Sequence, residues 1–76
     1  MIDEGYIISN KFRRVIFDEL ASGELNPERI SKKHRIIPRI TQRILDDFER
    51  NDIVKKEGQR YHLTDKGTKL KETMGN

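Results

Sequence analysis

Several residue types that point to particular classes of protein are missing from this chain. It has no cysteine and no tryptophan, so it forms no disulfide and offers no thiolate to a metal ion. No apolar run approaches the roughly 18 residues that cross a membrane as a helix. Residues 1–4 lack the composition of a signal peptide. These absences predict a protein of the cytoplasm.

Signatures of catalysis are missing as well. The sequence contains no glycine-rich phosphate loop, and its two histidines, His34 and His62, have no partners at catalytic or metal-ligand spacing. We therefore expect no enzymatic activity, no cofactor, no metal ion and no small-molecule ligand. His34 follows Ile30 by four residues, a helical spacing that predicts a half-buried histidine on the core face.

The length of the chain predicts a single domain, residues 1–76. A core built from 76 residues is near the size at which hydrophobic burial is only marginally stabilising. Without disulfides, the chain therefore needs a well-packed helical core, a partner, or both.

Positive charge is concentrated in the middle of the sequence. The net charge is +3 and the pI is near 9.4. Residues 1–26 carry three basic and five acidic side chains, whereas residues 27–62 carry ten basic and six acidic ones. No acidic residue lies between Arg29 and Leu45. We call the six basic residues of this segment the basic block: Arg29, Lys32, Lys33, Arg35, Arg39 and Arg43. Such a block is either a solvated surface, which is the common case, or the electrostatic footprint of a polyanion.

A strongly amphipathic helix is predicted to begin at Pro38, because proline fits the first helical position. At about 100° per residue, the core-type positions fall on one side. These positions are Ile37, Ile40, Thr41, Ile44, Leu45 and Phe48. The opposite side carries long polar side chains: Arg39, Gln42, Arg43, Asp46 and Arg50. One face of this helix therefore suits a core, and the other suits a ligand.

An earlier helix is predicted to start at Ser9 or Asn10, either of which can cap it, and to run to about Ser22 before Gly23. Its predicted core stripe comprises Phe12, Val15, Ile16 and Leu20. Phe17 lies off that stripe, so either the buried face is wide or Phe17 covers a subunit contact.

Between these helices, Asn26 and Pro27 predict the cap and first position of another helix. It ends at a short joint, residues 35–37. Residues 1–8 end in Tyr-Ile-Ile and fit either a short strand or an apolar arm that packs on a neighbour.

Two short strands are predicted after residue 52. Residues 53–56 and 60–63 would pair across a tight connection in which Gly58 supplies the positive φ that such hairpins need. Alternation along the second strand directs Tyr61 inward. Thr64 is then predicted to cap a last helix.

The order of these features resembles the helix-turn-helix and wing of winged-helix transcription regulators of the bacterial and archaeal MarR and ArsR type. In that pattern, a proline precedes Arg-Leu-Leu-Asp and Leu-Glu-x-x-Gly-Leu-Val-x-Arg. Residues at matching spacing here are Pro38, Arg43, Ile44, Leu45, Asp46, Phe48, Glu49, Ile53, Val54 and Lys56. Residues 61–67, Tyr-His-Leu-Thr-Asp-Lys-Gly, are similar to the Tyr-x-Leu-Thr-x-x-Gly that closes the family's wing. The resemblance runs from about Lys11 to Leu70.

The resemblance implies an α+β, mostly helical fold: a winged helix-turn-helix with a three-helix core, a short β-hairpin wing and a short C-terminal helix. It also implies a small transcription regulator that binds specific double-stranded DNA as a homodimer, with the third predicted helix in the major groove. The residues expected to read bases are Arg39, Gln42 and Arg43. Those expected to contact the DNA backbone are Lys32, Lys33, Arg35, Lys55, Lys56 and Arg60.

Two residues of the predicted turn depart from the family's pattern. Arg35 replaces the common glycine, which predicts a turn that does not depend on positive φ. Ile37 replaces the usual serine or threonine cap, which leaves the free N–H groups of the next helix to water or to a DNA phosphate.

An alternative hypothesis is a winged-helix module that binds other proteins within a larger assembly and does not bind DNA. Folds of this kind are reused for protein contacts, so the fold alone does not decide the function. The acid-free basic block favours DNA, because a module that contacts only proteins does not need it.

Overall fold

The described residues form five helices and one two-stranded β-hairpin. The computed structural model describes residues 4–75. Their elements are α1 (Glu4–Ile8), α2 (Lys11–Ala21), α3 (Pro27–His34), α4 (Pro38–Arg50), β1 (Val54–Glu57), β2 (Arg60–Leu63) and α5 (Asp65–Gly75). This architecture confirms the predicted fold class, with α2, α3 and α4 as the core helices and the hairpin as the wing. Helix α1 is an addition to it.

Capping residues set the starts of α2 and α3 where the sequence predicts them. The side chain of Asn10 accepts hydrogen bonds from two backbone N–H groups of the first turn of α2, at 2.9 and 3.1 Å. The side chain of Asn26 accepts one from Glu28 at 2.9 Å, and Pro27 occupies the first position of α3. Between the two helices, Gly23 has a φ of +108° and lets the chain leave α2.

Residues 4–8 form helix α1, so the predicted strand is wrong for this segment. A helix of five residues is too short to be stable in isolation, and α1 depends on what it packs against. Ile7 is fully buried, and the ring of Tyr6 packs edge-on against Phe48 of α4 with centroids 6.2 Å apart. The segment therefore completes the core of its own chain. Residues 1–3 lie outside the described residues.

The buried face of α2 differs from the predicted stripe. Phe17 is 1% exposed and packs edge-on against Phe48, with ring centroids 6.4 Å apart. This confirms the wide buried face. Phe12, which we predicted to be in the core, is 37% exposed. Because α4 lies against the side of α2 that carries Phe17, the first turn of α2 leaves the Phe12 ring open to solvent.

A buried hydrogen bond joins the two helices of the helix-turn-helix. The hydroxyl of Ser31 in α3 donates to the hydroxyl of Thr41 in α4 across 2.9 Å, and both residues are almost inaccessible to water. A buried polar group left without a partner costs about 1–3 kcal/mol. The pair therefore disfavours any packing of α3 on α4 that would separate the two hydroxyls.

The wing is a two-stranded antiparallel hairpin, with Glu57 opposite Arg60 at its closed end. Only two residues connect the strands, and Gly58 adopts the predicted positive φ, +65°. The first strand begins one residue later than predicted. The backbone N–H of Tyr61 donates to the carbonyl of Leu25 at 3.0 Å, so the hairpin is fastened to the segment between α2 and α3.

Helix α5 is positioned by Thr64 and Gly67. The hydroxyl of Thr64 accepts from the backbone N–H of Gly67 at 3.1 Å, which confirms the predicted cap. Thr64 also donates to the carbonyl of Asp52 at 2.5 Å. Gly67 lies directly against the backbone carbonyl of Ile53, and a Cβ at position 67 would overlap that oxygen. The glycine is therefore needed for a close approach of α5 to the end of the α4–β1 connection.

We expect the substitution Gly67→Ala to lower the free energy of unfolding by about 2 kcal/mol, because the added methyl group pushes α5 away from Ile53. This loss should appear although alanine favours a helix over glycine by about 1 kcal/mol. Denaturant unfolding measures it. The matched control is Thr68→Ala in the same turn, which is exposed and should change stability by no more than about 0.5 kcal/mol. Equal effects of the two changes would contradict the close-approach explanation.

Candidate nucleic-acid interface

The exposed face of α4 presents two arginines in its first half. Arg39 and Arg43 lie one turn apart, are exposed, and line a shallow hollow together with half-buried Ile40. Neither guanidinium has an acidic partner among the described residues. A guanidinium presents its donors as a planar fork, which matches the paired acceptors on the major-groove edge of guanine.

Gln42, the third residue predicted to read bases, makes hydrogen bonds within the protein. Its amide nitrogen lies 2.9 Å from the carboxylate of Asp46 and 2.9 Å from the hydroxyl of Tyr61. Tyr61 belongs to the wing and is 2% exposed. The Gln42 side chain thus links the wing to α4. Contact with a base would require its carbonyl oxygen, or the loss of these two hydrogen bonds.

The turn between α3 and α4 holds Arg35 in the left-handed region, with φ +54° and ψ +43°. The prediction that this turn does not depend on positive φ is therefore wrong. The backbone N–H of Ile36 donates to the carbonyl of Ser31 at 2.9 Å, a helix-ending geometry in which glycine is the usual residue. An L-residue in this conformation costs roughly 1 kcal/mol. The Arg35 side chain is exposed and has no acidic partner in the described part of the chain.

Ile37 occupies the cap position of α4 and makes no side-chain cap hydrogen bond, as the sequence predicts. It is 57% exposed, so its predicted place on the core face of α4 is wrong, and the preceding Ile36 is buried in its stead. The free N–H groups at the amino end of α4 therefore lie in a segment flanked by Arg35 and Arg39.

Part of the basic block is neutralised by an acid from α2. The carboxylate of Glu19 lies 3.0 Å from the Lys33 ammonium and 2.6 Å from Nε2 of His34. The hydrogen bond from His34, followed by that from Lys33, lowers the pKa of Glu19 below its ordinary value. The core position predicted for His34 is wrong, because its ring contacts this carboxylate at the surface and its side chain is 31% exposed.

Of the two remaining basic residues of α3, one has an acidic partner and the other has none within the described chain. Arg29 lies 3.2 Å from the carboxylate of Glu24. Lys32 is exposed and has no acidic partner among residues 4–75. The unpaired charges of the basic block are therefore Lys32, Arg35, Arg39 and Arg43.

The wing carries three exposed basic residues: Lys55, Lys56 and Arg60. Glu57 lies 3.7 Å from Lys55 and 3.1 Å from His62, so one carboxylate offsets part of the positive charge on the outer face of the hairpin. The ammonium of Lys56 lies 6.0 Å from the centre of the Tyr61 ring. Arg60 borders a hollow with Arg29 beside the α2–α3 loop, so it lies near the amino end of α3.

Acidic residues occupy the second half of α4. Asp47 lies 3.6 Å from Arg50, and Asp46 accepts the hydrogen bond from Gln42. These carboxylates would repel a phosphate, so the basic face of α4 is confined to its first two turns.

Two contacts that organise this surface are not predicted by the sequence. Glu19 lies in a different helix from its partners, 15 residues before His34, and no local pattern indicates the contact. Tyr61 is correctly predicted to turn inward, and a buried tyrosine needs a partner for its hydroxyl. That need is a usable signal, but the sequence does not identify Gln42 as the partner.

Residues 4–75 contain no group of histidine, cysteine and carboxylate side chains that could hold a metal ion. None of the helices described above has the length and apolar composition needed to cross a membrane.

Comparison with known families agrees with this geometry. Residues 13–76 match the model of a family described as winged helix-turn-helix. The matched range includes α3, α4, both strands and α5, which are the elements that build the surface described above, and most of α2. The chain matches no curated protein and no solved structure.

We expect Glu19→Gln to lower stability at neutral pH by about 1 kcal/mol, because the ion pair that joins α2 to α3 is lost. A carboxyl whose pKa is lowered by folding contributes stability that is fully present above its ordinary pKa of 4.5. That stability is lost as the pH falls through the lowered value of the folded state. The difference between the wild type and Glu19→Gln should therefore shrink in acid.

Thermal melts at pH 7 and pH 3 measure this difference. Glu49→Gln is the control, since Glu49 is exposed and has no basic partner among the described residues. A difference between the wild type and Glu19→Gln that stays constant across this pH range would argue against the ion pair.

Proposed function

The chain belongs to the winged helix-turn-helix family, and from that membership we propose that it is a small, sequence-specific regulator of transcription of the MarR/ArsR-like type. It binds double-stranded DNA with the amino-terminal half of α4 in the major groove and the wing on the sugar-phosphate backbone. The proposed activity is binding alone, without enzymatic chemistry, metal or cofactor.

The observation that supports DNA most strongly is the distribution of paired and unpaired charge. Two basic residues of α3, Arg29 and Lys33, have acidic partners in Glu24 and Glu19. Those from the turn and the first half of α4 have none, and the sequence supplies no acid between residues 29 and 45. Phosphates would supply the missing counter-charges, with release of the cations that surround free DNA. A module that binds only proteins has no need for this uncompensated face.

The proposed contacts divide into base readout and backbone positioning. Arg39 and Arg43 read bases through their planar forks, and Gln42 contributes through its carbonyl oxygen or after exchanging its internal hydrogen bonds. The residues proposed to hold phosphates are Lys32, Lys33 and Arg35 beside the turn, and Lys55, Lys56 and Arg60 on the wing. Lys33 reaches a phosphate only by leaving Glu19.

We propose that the protein acts as a homodimer, as its small core also favours. Ile8 at the end of α1 is 52% exposed and Phe12 in the first turn of α2 is 37% exposed, so two apolar side chains near the α1–α2 junction are open to solvent. Tyr6 of α1 packs on Phe48, roughly 13 Å along the α4 axis from Arg39 at 1.5 Å per residue. A subunit contact at this pair would leave the basic end of α4 open to DNA.

Selection of duplexes from a random pool, followed by titration at several salt concentrations, tests the proposal. With roughly 4–6 phosphate contacts per subunit, the logarithm of the association constant should fall with that of salt by about 0.9 per contact. Sedimentation of the same complex should give two protein chains per selected site. Failure to enrich any duplex, or an affinity that does not change with salt, would favour the protein-binding alternative.

Arg35 offers a second test. Its left-handed backbone conformation lowers the stability of the fold, whereas its charge is proposed to strengthen DNA binding. Arg35→Gly relieves the left-handed strain and should raise the free energy of unfolding by up to about 1 kcal/mol. The same change removes a proposed phosphate contact and should weaken binding to all duplexes alike. Denaturant unfolding and competition with random DNA measure the two effects.

Asp52→Gly is the matched control. Asp52 also has a positive φ, +61°, just after α4, so this change should also stabilise the fold, but by less, because aspartate tolerates positive φ better than arginine does. It removes a negative charge and should not weaken binding. If Arg35→Gly binds DNA as tightly as the wild type, Arg35 is not a phosphate contact.

A further inference from the structure

Ile37 is exposed at a position where folding alone would favour a polar residue. Its side chain is 57% exposed, the largest exposure among the described large apolar residues. It also stands at the cap position of α4, where it makes no side-chain hydrogen bond. Serine, threonine, asparagine or aspartate there would satisfy one free N–H group. An isoleucine therefore forgoes a cap and leaves apolar surface in water at the same position.

The surroundings of Ile37 indicate what it contacts. It lies two residues from Arg35 and two from Arg39, and neither arginine has an acidic partner in the described chain. The other core-type side chains of this face, such as Ile44 and Leu45, are buried. A single exposed apolar residue is common on protein surfaces. What distinguishes Ile37 is its place inside the acid-free segment, at the end of α4 that would enter a groove first.

We propose that Ile37 is a specificity-determining residue that packs against the C5-methyl group of a thymine in the major groove. This inference rests on the DNA binding proposed above and adds a base to the recognition by Arg39 and Arg43. The thymine methyl is the one apolar group that a base pair displays in that groove. A β-branched aliphatic side chain flanked by arginines can contact this methyl while the guanidinium groups bind neighbouring phosphates or guanines.

Deoxyuridine replaces thymine without its methyl group and keeps the base pair, so it isolates the proposed contact. Each thymine of a duplex selected by the wild type is replaced in turn, and the affinity is compared with that of the unmodified duplex. At one position per half-site, the affinity of the wild type should fall roughly fourfold. This is the change expected when one methyl group is no longer buried. Ile37→Ala should bind both duplexes equally, and Ile37→Val should retain the sensitivity.

Two further variants separate a contact with DNA from a role in the fold. Arg39→Ala should weaken binding to both duplexes and leave the methyl sensitivity unchanged. Ile37→Ser adds a cap to α4 and should raise the midpoint of thermal unfolding while abolishing the methyl sensitivity. A lower midpoint for Ile37→Ser would identify Ile37 as a structural residue and overturn the inference.

The unmodified duplex distinguishes failure of the inference from failure of the proposed function. If the wild type binds it tightly but no thymine position is sensitive, or Ile37→Ala keeps the sensitivity, the methyl contact is wrong and the DNA-binding proposal stands. A selected site that contains no thymine would likewise contradict the methyl contact and leave the DNA-binding proposal standing. If the wild type binds no duplex, the proposed function fails and the methyl contact fails with it.

Discussion

One face of helix α4, from Thr41 to Phe48, is buried. Helices α1, α2 and α3 are positioned by their contacts with that face. Two aromatic rings, from α1 and α2, meet Phe48 edge-on, and α3 is held by the hydrogen bond between Ser31 and Thr41. Edge-on aromatic pairs and buried hydrogen bonds are directional. They therefore fix the rotation of α4 about its axis as well as its depth in the core. That rotation decides which side chains remain outside.

The same rotation produces the division of charge on the surface. With the apolar face of α4 buried, its first two turns present Arg39 and Arg43, and its later turns present carboxylates that pair with Gln42 and Arg50. Acids from α2 and the loop after it neutralise the nearer end of the basic block at Lys33 and Arg29. The positive charge that stays uncompensated is gathered around the turn of the helix-turn-helix. A polyanion is the partner whose own charges are complementary to such a face.

The turn itself contains two residues that its local backbone structure disfavours. Arg35 adopts a conformation that suits glycine, and Ile37 takes a cap position that suits serine or threonine. Natural sequences break local rules of this kind mainly at functional sites, where the rest of the structure overrides the local preference. Here the override comes from the packing of α3 on α4, because the connection of three residues must close between two helices that are already fixed. The two unfavourable choices coincide with the acid-free segment, which supports a role in binding.

The sequence by itself determined the helices that have caps, the wing with its glycine turn and the two-sided character of α4. These features arise from local chemistry: a side chain and a backbone group a few residues apart, or the period of an apolar pattern. Only the tertiary structure decided the rest. Helix α1 forms because Ile7 has a core to enter, Phe17 is buried in preference to Phe12 because α4 lies on that side, and His34 meets a carboxylate from another helix. Each of these depends on residues that are distant in sequence, and no local pattern encodes which distant residue will be near.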